Sequence, residues 1–64
     1  MNSFYDVQQL LRQFGTVIYT GKRSQDVELM EAEVSELHAM GMIERENFLK
    51  ARTILLEEKR KARS

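Results

Sequence analysis

Residues 24–55 read SQDVELMEAEVSELHAMGMIERENFLKARTIL, two helical patterns divided by one glycine. Val27, Met30, Val34 and Leu37 recur at three- and four-residue spacing, which puts them on one face of a helix. Leu29 and Met40 edge that stripe. Glu28, Glu31 and Glu36 fall outside it, with Glu33 at its border. Ser24 is the expected N-cap, and Asp26 and Glu28 suit the positive end of the helix dipole. Gly41 stops the helix and Met42-Ile43 cover the turn. A further helix is expected from Arg45 onward, fraying after Arg60. Phe48, Ala51, Leu55 and Ala62 share its core face, with Ile54 beside them. Leu49 and Leu56 form a second stripe about 90° away, which lets this helix touch two neighbours. So short a turn makes the pair an antiparallel hairpin.

Upstream, Phe4, Val7, Leu10, Leu11 and Phe14 predict a first helix from about Ser3 to Phe14. Ser3 and Asp6 form an S-x-x-D capping box, and Gly15 follows as a C-cap. Tyr5, Gln8, Gln9 and Arg12 fall on the opposite, solvent-facing side. Between the helices, Val17, Ile18 and Tyr19 favour extended structure but have no second strand to pair with. We therefore expect a loop whose Val17 or Ile18 plugs the core, followed by a turn at Gly21 and exposed Lys22-Arg23. The fold class is all-α, a compact three-helix bundle forming one domain over residues 1–64, with helix one covering the hairpin's apolar groove.

Composition narrows the function. The 64 residues carry ten basic and ten acidic side chains, no cysteine, no proline and one histidine. Disulfides, thiol nucleophiles, zinc fingers and iron–sulfur clusters are excluded. The neutral total conceals a pattern. Residues 1–24 hold three basic and one acidic side chain, residues 25–46 one and seven, and residues 47–64 six and two. An acidic middle helix thus lies between two basic segments, partly for mutual attraction and partly as separate exposed surfaces. The longest uncharged run, Gln13 to Gly21, is too short and polar to span a bilayer, and no leader pattern opens the chain. A cytoplasmic location is expected.

Catalytic constellations do not assemble in the sequence. Gly15 to Lys22 superficially suggests a phosphate loop, but five residues separate Gly15 from Gly21 and Arg23 occupies the hydroxyl position after the lysine. Positions three and four residues from His38 are Ser35, Val34 and Gly41, plus Met42, none a strong metal ligand. We expect no metal, no cofactor and no enzymatic activity. The helix-two glutamates read as a solvated face, and the methionines as core gap-fillers, with Met40 and Met42 near the turn also suited to an adaptable contact.

Two features suit binding. Tyr5 and Arg12 lie one heptad apart, and Tyr19 lies close to Lys22 and Arg23. Single-stranded nucleic acid is held by stacking on aromatics with cations near phosphates. Lys59, Arg60, Lys61 and Arg63 add a basic end. The same tyrosines lying flat on the core edge would be purely structural. A second functional reading is a protein-interaction or homodimerising module that uses Leu49 and Leu56, rimmed by the acidic helix.

The opening Phe4-Tyr5-Asp6-Val7-Gln8-Gln9-Leu10-Leu11 resembles the YqgQ-like family of small proteins from Bacillus-type bacteria. The likeness continues through Gly15, Val17, Tyr19, Gly21, Arg23, Met30-Glu31, Glu36-Leu37, Met42-Ile43, Phe48, Ala51 and Leu55. It implies a compact three-helix bundle and a role in binding single-stranded nucleic acid, and it brings no enzyme, cofactor or catalytic residue. The resemblance brings no residue-level binding site; the candidate site, Tyr5, Arg12, Tyr19, Lys22 and Arg23, is read from the exposed aromatic and basic positions alone.

Overall fold

The structure, a computed structural model, describes residues 1–63, the side chain of Arg63 excepted. Its elements are α1 (Phe4–Gln13), α2 (Arg23–Ala39) and α3 (Arg45–Arg63), with no strand among the described residues. α2 and α3 pack most extensively as the expected antiparallel hairpin, and α1 lies across both. The radius of gyration of 10.8 Å equals the roughly 11 Å of a close-packed chain this long.

Both turns follow from backbone satisfaction. At the end of α2 the Met42 N–H donates to the Leu37 carbonyl (2.8 Å) and the Gly41 N–H to that of His38 (3.0 Å). At the end of α1 the Thr16 N–H reaches the Leu11 carbonyl (3.0 Å) and the Gly15 N–H that of Arg12 (2.9 Å). These are paired Schellman bonds, and they need a left-handed residue after the C-cap. Gly15 at φ 80° and Gly41 at φ 75° supply it without the steric cost that a Cβ would bring. Ser3 caps α1 as the sequence predicts: its Oγ accepts the Asp6 N–H (3.4 Å), while the Asp6 carboxylate accepts N–H groups from Asn2 (2.8 Å) and Ser3 (3.2 Å).

Val7 and Leu11 of α1 meet Val27, Met30, Val34 and Leu37 of α2, Ile43 of the turn, and Ala51 and Leu55 of α3. Phe4, Leu10, Phe14, Ile18, Phe48, Ile54 and Met1 close the edges. Of the loop pair, Ile18 plugs the core and Val17 stands out in solvent, 72% exposed. Met40 and Met42 are also exposed, because they flank Gly41 outside the apolar stripe, so only Met30 fills the buried core as the methionines were expected to. Leu49 and Leu56 remain about half exposed, since α1 approaches α3 from the Ile54 side and leaves their stripe without a neighbour. α3 continues three residues past Arg60, where fraying was expected; the remainder of that expectation, on Ser64, lies outside the described residues.

The start of α2 differs from the reading of Ser24 as N-cap. The helix begins at Arg23, and the capping residue Lys22 makes no side-chain cap bond. Asp26 is the cause. Its carboxylate, only 6% exposed, accepts the Thr20 N–H and the Thr20 hydroxyl, both at 2.7 Å. The Thr20 Oγ also accepts the Lys22 N–H at 3.3 Å. A buried carboxylate without donors is costly, so the loop is drawn onto it and the helix is wound from Arg23.

Two outcomes test this account. Asp26→Ala should remove about 2–3 kcal/mol of stability, read as a lower urea midpoint at unchanged slope. Asp6 gives a pH signature: the Asn2 N–H, first among its partners, holds this carboxyl below its ordinary value. That stabilisation is complete above about pH 4, the unfolded value, and is lost as pH falls through the lower folded value. Thermal midpoints of Asp6→Asn should lie below the parent's at about pH 5 and converge with them towards about pH 2.

Candidate nucleic-acid interface

The site is built on α1 and the loop that follows it. Tyr5 and Arg12 sit two turns apart on the outer face of α1, and both are exposed, Tyr5 at 63%. Gln8 joins them. It borders an open groove that also holds Tyr5, and a smaller hollow where Arg12 lies against Thr16, Val17 and Ile18. Arg12 is therefore brought to the loop, while Tyr5 faces the groove between α1 and α3.

The loop presents Tyr19. With Ile18 pulled inward and Thr20 fixed to Asp26, the residue between them is turned outward, and Tyr19 is 83% exposed. Lys22, three residues on, is exposed and makes no ion pair among the described residues; the same holds for Arg12. Neither tyrosine lies flat on the core edge. Both present ring surface to solvent, as stacking on a base requires.

Arg23 has different duties. Its guanidinium lies over the Phe4 ring, 4.2 Å from the centroid, and forms an ion pair with Glu58. One side chain thus ties α2 to α1 and α3. The groove it borders also contains Glu57 and Glu58, so phosphate entering there meets two carboxylates. Glu57 accepts hydrogen bonds from Arg60, which hold its carboxyl below the ordinary range and raise the guanidinium's pKa in return. Lys59 binds Glu31 of α2 at 3.3 Å. Much of the basic end is therefore balanced by glutamates, and the attraction between the acidic and basic helices takes the form of real contacts.

The Thr20–Asp26 bond and the joining of Phe4, Arg23 and Glu58 were not read from sequence. One signal was available: Asp26 stands four residues before Met30, on the apolar stripe, where a carboxylate needs donors. His38 stacks on Phe48 with ring centroids 4.1 Å apart and planes 6° from parallel, which gives it a packing role at the bundle edge. Among the described residues no group of three or more His, Asp and Glu side chains gathers to hold a metal ion, and no helix is long and apolar enough to cross a membrane.

The distinction between Arg23 and its neighbours is measurable. Arg23→Ala should cost about 1 kcal/mol of stability, combining a partly exposed cation–π contact with a partly exposed ion pair. Lys22→Ala should leave the thermal midpoint within experimental error.

A family model described as YqgQ-like matches residues 1–61. Over 58 residues the chain is 47% identical to a Bacillus subtilis (strain 168) protein named "Uncharacterized protein YqgQ", an alignment spanning 91% of this chain and 82% of the relative. The chain therefore belongs to the YqgQ-like family.

Proposed function

We propose that this chain is a cytoplasmic protein that binds single-stranded nucleic acid, RNA or DNA, with little sequence preference and without catalysing a reaction on it. The observation that carries the reading is Tyr19: a ring 83% exposed on a loop that a buried carboxylate fixes in place. An exposed aromatic held by a rigid scaffold loses little entropy when a base stacks on it. Lys22 and Arg12, both without an internal partner among the described residues, supply cations for the flanking phosphates. Tyr5 offers a second ring along α1. Arg23 contributes by positioning α1 against the loop's helix rather than by contacting phosphate, since Phe4 and Glu58 occupy its guanidinium.

The electrostatics limit affinity. Glu28 and Glu36 of α2 are exposed and, like Glu33, make no ion pair among the described residues, so they repel a strand that strays across that helix. Binding is accordingly weak and salt-sensitive.

Fluorescence anisotropy with labelled single-stranded oligomers, against a duplex control, tests the proposal. Tyr19→Ala should weaken binding by about 1–3 kcal/mol, roughly five- to 150-fold in Kd. Lys22→Ala should reduce the slope of log K against log salt by about 0.7. Single strands that fail to bind even at low salt would end the nucleic-acid reading.

A further inference from the structure

The outer face of α3 carries an apolar seam that no other helix covers among the described residues. Leu49 is 45% and Leu56 48% exposed, two turns apart, with Thr53 between them. Beside Leu49 runs an open apolar groove floored by Met1 and Ile54. A chain this small has a thin core and little apolar surface to spare. Leaving two leucines in line on a solvent face is therefore unfavourable unless something covers them.

Charge identifies the occupant. Glu46 and Arg60 continue the seam one heptad either side of Thr53, and Lys50 and Glu57 stand along one flank, in the order minus, plus, minus, plus. Read in reverse, the order is plus, minus, plus, minus. A second α3 laid antiparallel, with its Thr53 facing Thr53, sets every one of these charges opposite its complement. Leu49 then meets Leu56 of the second copy, Glu46 meets Arg60, and Lys50 meets Glu57. Antiparallel helices bring like flanks together, so the leucine seam and the flanking charges satisfy one register at once. A parallel arrangement would set like charge on like.

We infer that α3 pairs with α3 of a second copy of this chain, antiparallel about a twofold axis near Thr53. Such a contact is isologous, the commonest form of homodimer. In the single chain the four charges close on each other, Glu46 on Lys50 at 3.2 Å and Glu57 on Arg60. A carboxylate has lone pairs for more than one donor, so these pairs widen into a network across the axis without first being broken. The other flank opposes association: it carries Arg45, Arg52 and Lys59, so Arg52 of each copy nears its counterpart and Arg45 nears Lys59 of the second copy, with Lys59 alone offset by Glu31. One helix face is also a small contact beside the roughly 800 Å² per partner of a stable complex. The dimer is therefore weak and forms reversibly with concentration.

Sedimentation equilibrium from micromolar to millimolar protein tests the pairing. The expected result is a reversible monomer–dimer transition. A monomer throughout would overturn the inference and leave the seam to a different protein. Lys50→Glu and Glu57→Lys alter only exposed positions, so circular dichroism should show both folded. Each alone sets like charges across the axis twice and should weaken association at least about tenfold. Mixing the two variants restores both pairs in a heterodimer, and association should return. A mixture no tighter than the single variants would overturn the register. Leu49→Gln/Leu56→Gln should be monomeric, and a persistent dimer in that variant would overturn the seam.

Discussion

A single buried carboxylate sets the path of the chain between α1 and α2. Asp26 lies buried on the apolar stripe of α2, where leaving its polar oxygens without donors would be costly, and Thr20 is the residue that provides them. Once Thr20 is fixed, the loop has little freedom. Ile18 falls onto the core, Tyr19 turns to solvent, and α2 starts at Arg23. From that start, the Arg23 guanidinium reaches the Phe4 ring and Glu58, joining all three helices. The order of cause runs from one buried carboxyl group, through Thr20, to the two residues before it: Ile18 in the core and Tyr19 at the surface.

What the sequence disclosed depended on how local each cause was. The Val27–Met30–Val34–Leu37 stripe, the Ser3–Asp6 capping box and the glycines at 15 and 41 act within one or two turns, and each stands where its spacing predicts. The start of α2 was misread because Ser24 satisfies the statistical preference for a cap, whereas the actual constraint is a bond between residues six apart. Arg23 is exposed, as expected beside Lys22, but its ring contact and ion pair were not legible for the same reason. Its partners, Phe4 and Glu58, lie 19 and 35 positions away in sequence, and composition carries no trace of them. The exposure of Tyr5 and Tyr19 was half legible. Helical phase placed Tyr5 outward, but only the fixed loop shows that Tyr19 is turned away from the core.

Net charge proved a poor guide to surface. Ten positive and ten negative groups cancel in number, yet they are not interchangeable in place. Glu31 and Glu58 are spent on cross-helix pairs with Lys59 and Arg23, and Glu46 and Glu57 on neighbours within α3. Partnered charges contribute little to the field felt by an approaching polymer, because each is screened at short range by its counterion. The field near the loop is set instead by the few groups left over, Lys22 and Arg12 among them.

These leftovers also bear on how a protein this small could hold a long polymer. On the proposed reading, two exposed rings and two cations make a shallow site, and each contact is worth only a small multiple of thermal energy. Tyr19, Lys22 and Arg12 border neither of the grooves beside Leu49 and Thr53, one lined by Met1 and the other by Tyr5, so the proposed pairing through α3 would leave these three open while approaching Tyr5. A dimer would then present two loops on one body. The second loop meets a strand already held by the first, at an effective concentration far above that in bulk, and avidity rises without any new contact. By linkage, a strand long enough to touch both loops must in turn favour the dimer, since it binds that state more tightly than the monomer. The two proposals are in this way mutually reinforcing: a weak self-association would strengthen a weak site, and strand length would be the variable that couples them.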